Sequence, residues 1–409
     1  MQISKSNKLL YLILSLTIFI GLFLNEDSSG SGGFIIDFNS TLPLIKNPFQ
    51  AAMFNGEIDF KFPLHYYFSS LIYFFTKNEF YLRFVFCLFS LSCPFLFYLC
   101  LKEKYSDIDK NNLFIFSLIL FIMPSFRSGA IWANTQITAI IFFLFALYFF
   151  LKWESKNIRT INANLIFTLL FLSFSVYTRQ LYAIVYLYFL YLFFIKFSLK
   201  DFLKICLVIF VLAIPGLILT LLYSDILTTM YSFNFYNTLL VNSSIISFYL
   251  IPFYLIFLFV NLKKAAINKY IIPFLAILTF VIIATFYFDY NFKNGGGFFI
   301  KASVILFNNL YLFYLSSFIG LFLIYLIALE DKKTLLLSLL LLFGFSTLHI
   351  YQKYFEPMFL ILFFLVYEIK LIRLFLKNKK YIVIISLYFL VYFLLALTNN
   401  FYLITKKYI

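Results

Sequence analysis

Few residues in this chain could do chemistry, and they are unevenly spread. One carboxylate, Asp37, stands in the stretch FIIDFN among apolar neighbours. Such flanks draw a carboxylate toward a membrane surface, where partial loss of water makes it a better base toward a hydroxyl proton. Residues 55–68 read NGEIDFKFPLHYYF and bring together Glu57, Asp59, Lys61 and His65. Arginine is scarce, five against 27 lysines, yet Arg83, Arg127 and Arg179 (followed by Gln180) each sit beside an apolar run. A last group, HIYQKYFEP at residues 349–357, holds His349, Lys353 and Glu356.

The elements that must position these groups are helices in a membrane. The chain has 62 Phe and 32 Tyr in 409 residues, is 64% hydrophobic and only 12% charged, and has a mean hydropathy of +0.97. Apolar runs long enough to span a bilayer recur from end to end. Lipid offers no partner to a free peptide group, so each run must be helical. The expected architecture is an all-α polytopic membrane protein of 11–13 transmembrane helices, forming one integral membrane domain over residues 1–409 with no soluble domain. The predicted spans are 9–24, 80–101, 112–124, 132–151, 164–178, 180–196, 202–223, 244–262, 270–288, 303–329, 334–349, 357–372 and 381–397. The first lacks a small-x-small cleavage site and opens a multi-span chain, so it reads as an uncleaved span rather than a signal peptide.

Charge sets the orientation. With Lys5 and Lys8 in the cytoplasm, alternate connections collect Lys102, Lys104 and Lys110, then Lys152, Lys156 and Arg159, and finally Lys370, Arg373, Lys377, Lys379 and Lys380. The opposite segment 224–243 carries no lysine or arginine. This is positive-inside asymmetry. The net charge of +15 therefore faces lipid and cytoplasm and is no nucleic-acid footprint. Residues 25–79 become the longest outside segment, and both histidines, Asp37, Arg83, Arg127, Arg179 and Glu356 fall on that same side.

Within the outside segment, FQAAMFNG after Pro48 reads as a short helix ending at Gly56. HYYFSSLIYFF reads as an interfacial helix too short to span. Glu26, Asp27 and Glu79 read as solvated loop charges, and NGGG at 294–297 as a flexible outer loop. Cys87, Cys93, Cys100 and Cys206 lie in apolar segments and read as small hydrophobes. Glu368 and Lys370 read as a pair, or as snorkelling charges, at the inner end of a span. Neither histidine has a partner at metal-ligand spacing, so no zinc is expected; the carboxylates leave a divalent cation open.

The order of these features resembles the GT-C glycosyltransferases. It is most similar to the branch with dolichyl-phosphate-mannose protein mannosyltransferases and bacterial lipid A aminoarabinose transferases, glycosyltransferase family 39-like. Such relatives carry an acidic pair early in the first outer loop, then K-P-P-L-x-Y, then S-E-x-x-x-R opening the next helix. The matching positions are Asp37, then Lys61-Phe62-Pro63-Leu64-His65-Tyr66, then Asn78-Glu79 and Arg83. Phe38 and Phe62 replace the second acid and the first proline. The resemblance covers residues 1–200, including FRSGAIWANTQITAIIFFLFALYFFLK; residues 201–409 add further helices. Arg179-Gln180 resembles a pair in the dolichyl-phosphate-glucose glucosyltransferase branch.

The resemblance implies a polyprenyl-phosphate sugar donor and a lipid, glycan or protein acceptor. The reaction would take place at the extracytoplasmic face of a bacterial inner membrane or endoplasmic reticulum, with Asp37 as the base. A phosphate leaving group needs no general acid, so one carboxylate suffices, in contrast to glycoside hydrolysis. It does need cations as charge develops. Arg83, Arg127, Arg179 and Lys353 are the candidates, arginine being the better bidentate phosphate ligand. Gln180, Lys61, His65, His349 and Glu356 complete the expected substrate contacts, with Glu57 and Asp59 as further acids. Three other readings stand beside it: a lipid-linked oligosaccharide flippase or other transporter, a polysaccharide polymerase or ligase, and a non-enzymatic membrane subunit.

Overall fold

The computed structural model describes residues 3–29, 33–47, 63–156, 160–222, 233–261, 268–291, 295–345 and 349–408. The described residues are helical with short connections and contain no strand. They cluster into two compact units, residues 1–228 with 376–409, and residues 229–375. The first stretch of unit 1 thus runs to residue 228, and the last helix joins that unit.

Ten described helices build the first part of unit 1: α1 Lys5–Phe23, α2 Gly33–Lys46, α3 Leu64–Thr76, α4 Glu79–Lys104, α5 Lys110–Ser117, α6 Pro124–Ile131, α7 Thr135–Glu154, α8 Ala163–Thr178, α9 Tyr182–Lys196 and α10 Leu199–Leu222. Polar residues mark their starts. Ser4, Asn78, Asp109, Asn134 and Asn162 each accept a backbone N–H in the first turn of α1, α4, α5, α7 and α8. Ring pairs fix the helix directions. Phe19 with Phe84 and Phe23 with Phe80 set α1 antiparallel to α4. Phe142 with Phe174 and Phe149 with Phe167 do the same for α7 and α8. The end of α1 therefore meets the starts of α4 and α7. Lys5, Lys102 and Lys152 lie at the other end of these helices.

Unit 2 is built on Phe235–Asn261 packed along Tyr311–Glu330, with Asn268–Thr285, Gly297–Phe307, Thr334–Phe343 and Met358–Leu365 around them. Small residues let the central pair approach. Ser244 and Ser316 share a hydrogen bond of 2.6 Å, and Ser317 donates to the Leu240 carbonyl at 2.8 Å. Helix contacts through small residues suit a bilayer, where apolar side chains gain little by leaving lipid.

Seven described helices are long and apolar enough to cross a membrane: Lys5–Phe23, Glu79–Lys104, Thr135–Glu154, Leu199–Ile218, Phe235–Ile256, Tyr311–Glu330 and Lys379–Thr398. The pair Lys110–Ile122 and Pro124–Ile131, bent by 66°, is apolar enough to make a broken span or a re-entrant loop. Proline at the start of α6 supplies no N–H to continue the preceding helix, which accounts for the break. Two predicted spans are corrected. Residues 303–329 divide into Gly297–Phe307 and Tyr311–Glu330, parted where Asn308 takes a left-handed φ of 50°. Residues 357–372 hold a buried eight-residue helix, Met358–Leu365, and the start of Lys370–Lys377.

The aromatic stretch HYYFSSLIYFF is helical within α3, as expected. The FQAAMFNG helix lies outside the described residues. Residues 295–297 are no slack loop. All three glycines take positive φ (99°, 84° and 79°), and the Gly296 N–H donates to the Ile350 carbonyl at 2.8 Å. Side chains rarely adopt that backbone, so glycine is what lets the chain turn into helix Gly297–Phe307 here.

Candidate functional site

Three consecutive residues after α1 organise one end of unit 1. Asn25 takes a left-handed φ of 51°, tolerated by asparagine, and turns the chain out of the helix. Its Oδ1 accepts from Arg83 Nη1 at 2.9 Å. Glu26 accepts from Arg127 Nε at 2.9 Å and Nη2 at 2.7 Å, a bidentate ion pair with both side chains almost wholly buried. Asp27 is fully buried and accepts the N–H groups of Phe34 and Ile35, at 2.9 and 2.8 Å, in the first turn of α2. Burial raises its pKa above the ordinary value, outweighing hydrogen bonds that lower it.

These contacts overturn the expectation that Glu26 and Asp27 are solvated. The charge directly after a span is held inside because an arginine about a hundred residues later folds back onto it. Glu79 does behave as a surface charge, pairing with Lys46 at 2.8 Å where both side chains are well exposed.

Asp37 stands on α2, half-buried, and its Oδ2 accepts from Asn134 Nδ2 at a long 3.4 Å. Asn134 also starts α7, its Oδ1 accepting the Gln136 N–H at 3.1 Å. The neighbouring Trp132 packs against Phe38, ring centroids 5.9 Å apart, and donates its indole N–H to the Glu26 carbonyl at 2.8 Å. The Arg83 guanidinium lies over the Trp132 ring at 3.8 Å and donates from Nε to the Ile131 carbonyl at 2.8 Å. Arg83 is 8% exposed, and its buried Nη2 meets no hydrogen-bond partner among the described residues. A carboxylate, an amide, an indole and a guanidinium with donor capacity to spare are thus gathered at one end of α1, α4 and α7.

The other expected residues fare differently. Arg127 is corrected: Nε, Nη1 and Nη2 make five hydrogen bonds, to Glu26, Thr17 Oγ1, the Thr17 carbonyl and the Phe121 carbonyl. A guanidinium carries five N–H groups, so none remains for a phosphate. His65, another expected substrate contact, is 1% exposed, with Nδ1 2.9 Å from Thr138 Oγ1 and Nε2 3.3 Å from Ser69 Oγ, so it joins α3 to α7. Arg179 and Gln180 form the partly exposed turn between α8 and α9, at the end of α8 that packs near the start of α7. Lys61, Glu57 and Asp59 lie outside the described residues.

In unit 2, Glu356, expected among the substrate contacts, is buried at 1% exposure and accepts from the Tyr249 hydroxyl at 3.2 Å. Lys353 lies over the Tyr351 ring at 5.2 Å, and His349 packs edge-on to the same ring at 6.3 Å. Sequence reasoning missed Gln352, whose Oε1 accepts the Phe298 N–H at 2.7 Å in the first turn of Gly297–Phe307.

It also missed Asn25, Glu26, Asp27, Trp132 and Asn134 in unit 1. The available signal was a polar triplet, NED, closing an apolar run, together with an arginine inside the otherwise apolar PSFRSGAIW.

Among the described residues no three His, Cys, Asp or Glu side chains converge on a point where a metal ion could sit. Glu26 pairs with Arg127, and Asp27 accepts backbone N–H groups of α2. No family model, curated protein or solved structure matches the chain.

Proposed function

We propose that this membrane protein is a GT-C-like glycosyltransferase. It takes a sugar from a polyprenyl-phosphate donor and passes it to a lipid, glycan or protein acceptor on the extracytoplasmic side. The observation that carries this reading is that Asn134, which donates to Asp37, lies two residues after Trp132, the ring under the Arg83 guanidinium. Asp37 accepts the proton of an acceptor hydroxyl. The oxygen attacks the anomeric carbon, and the bond to the phosphate oxygen breaks with its electrons leaving on phosphate, inverting the configuration. Arg83, with a buried N–H group still to satisfy, supplies positive charge to that phosphate; Arg179, at the same end of unit 1, is the second candidate. Arg127 takes no part in the transfer; it holds Glu26, Thr17 and the Phe121 carbonyl. The lysine-rich ends of α1, α4 and α7 support a cytoplasmic amino terminus. If the shorter apolar helices also cross, the count reaches the 11–13 expected from the sequence.

One observation favours a second reading. A broken helix carrying a buried charge, α5 to α6 with Arg127, is a feature of transporters, which would make the chain a lipid-linked oligosaccharide flippase. Arg127 is saturated internally, and this weighs against its gripping a cargo.

The test is to incubate protein in lipid nanodiscs with labelled polyprenyl-phosphate hexoses and pentoses and a panel of acceptors. Label should leave the lipid with wild-type protein, and Asp37→Asn should slow this by about 10²–10⁴-fold at equal protein level. In liposomes, a flippase would instead carry intact labelled lipid between leaflets and tolerate Asp37→Asn.

A further inference from the structure

We infer that Asp27 is a positioning residue that sets the place of Asp37 relative to Asn134. Its bearing on catalysis rests on the glycosyl-transfer reading; its hold on α2 does not.

Two arms leave the same short turn. In one, Asp27 Oδ2 grips the Phe34 and Ile35 N–H groups, and Asp37 follows on the same helix. In the other, the Ser29 N–H donates to Ser128 Oγ at 3.0 Å, and Ser28 Oγ lies 3.2 Å from Ser128 Oγ and donates to the Pro124 carbonyl at 3.1 Å. That arm fixes α6, whose end leads through Trp132 to Asn134. The arms close where Asn134 Nδ2 meets Asp37 Oδ2. Ser29 ties them near their origin, its hydroxyl donating to Asp27 Oδ1 at 2.7 Å.

Asp27 lies at full burial, some distance along the chain from the helix it serves. Most first-turn N–H groups of a helix are satisfied by the residue directly before it or by water. Here the anchor comes from the neighbouring helix junction, so the start of α2 is fixed to the rest of unit 1 as well as capped. Without that acceptor, two N–H groups lose their partner and the start of α2 is released. A displacement of about 1 Å at a reacting group can cost about 10²-fold in rate.

The experiment uses the full chain in nanodiscs and two independent readouts: hydrogen exchange of the amides in residues 33–38, and donor turnover. Asp27→Ala should speed exchange there by about tenfold or more and lower kcat by about 10–10²-fold, with KM for the donor within about twofold. Asp27→Asn keeps an acceptor oxygen and should restore both the protection and most of kcat. Unchanged exchange in Asp27→Ala overturns the inference, and so does faster exchange with kcat intact. Should Asp27→Ala fail to accumulate, Ser128→Ala cuts the second arm instead. It should leave exchange in residues 33–38 near that of wild type and lower kcat several-fold, and an unchanged kcat would again count against the inference. If wild-type protein turns over no donor, the transfer reading falls, while the exchange measurement still decides whether Asp27 holds α2.

Discussion

Glu26 and Arg127 form a two-pronged ion pair, 2.7 and 2.9 Å, inside unit 1 and far apart in the chain. The pair closes the end of α1 onto α6, and Thr17 and Phe121 accept the arginine's other hydrogen bonds. Removing one partner leaves the other charge buried and uncompensated, which costs about 3–5 kcal/mol. Arg127→Gln or Glu26→Gln should therefore sharply lower the thermal midpoint of purified protein, with loss of amount in the membrane. Arg127→Lys should rescue little, because an ammonium cannot reproduce the planar fork. A variant at either position with normal stability would show that the pair carries no structural load.

Arg83 differs from Arg127 in having a donor to spare. Its fork holds Asn25 and the Ile131 carbonyl, and its plane lies on Trp132. Arg83→Lys keeps the charge but loses the stack and the fork. The expected result is donor turnover down by about 10²-fold with only a modest change in thermal midpoint. The chain has just two tryptophans, so the emission of Trp132 can report the lost stack independently of turnover. Full activity in Arg83→Lys would remove Arg83 from the site.

How much of this was legible beforehand depends on whether the cause is local. Apolar runs declare helices locally, so the helices could be read directly. Glu26 and Asp27 could not, because their burial depends on Arg127, Ser128 and the start of α2, which only tertiary folding brings near. Arg127 itself was misjudged for the same reason: an arginine next to a span looks alike whether its partners are lipid phosphates or a buried glutamate. The division of 303–329 did carry a local signal. Asn308-Asn309 is a poor continuation of a helix, and Asn308 takes the left-handed turn that ends one.

The protonation of Asp27 gives a pH prediction with a definite sign. Burial places its pKa above the ordinary 3.8, so the folded chain holds that proton more tightly than the unfolded one. Stability from this group is then complete below pH 3.8 and is lost as pH rises through the raised value. Asp27→Asn cannot ionise and lacks this dependence. Thermal midpoints from about pH 4 to about pH 7 should show wild-type protein losing ground against Asp27→Asn as pH rises. Parallel curves would mean that the carboxylate ionises as readily in the fold as outside it.

In unit 2 the central helices meet at Gly320, where a side chain has nowhere to go. A Cβ there would overlap the Ser243 carbonyl oxygen and stand 2.7 Å from its carbon and 3.2 Å from Ser247 Cβ. Two of these three atoms are helical backbone, so no rotamer change relieves the clash and the helices must move apart. Separation would stretch the nearby Ser244–Ser316 bond and the Ser317 bond to the Leu240 carbonyl. Overpacking of this kind costs about 1–3 kcal/mol in a well-packed interior. Gly320→Ala should therefore lower the thermal midpoint clearly, and Gly320→Leu should prevent accumulation of folded protein. Gly129 is the control, since a Cβ there would find ordinary contacts of 3.6–3.7 Å with Ile137 and Gln136. Gly129→Ala should leave stability near that of wild type, and equal loss at both positions would show that close approach at Gly320 is not the cause.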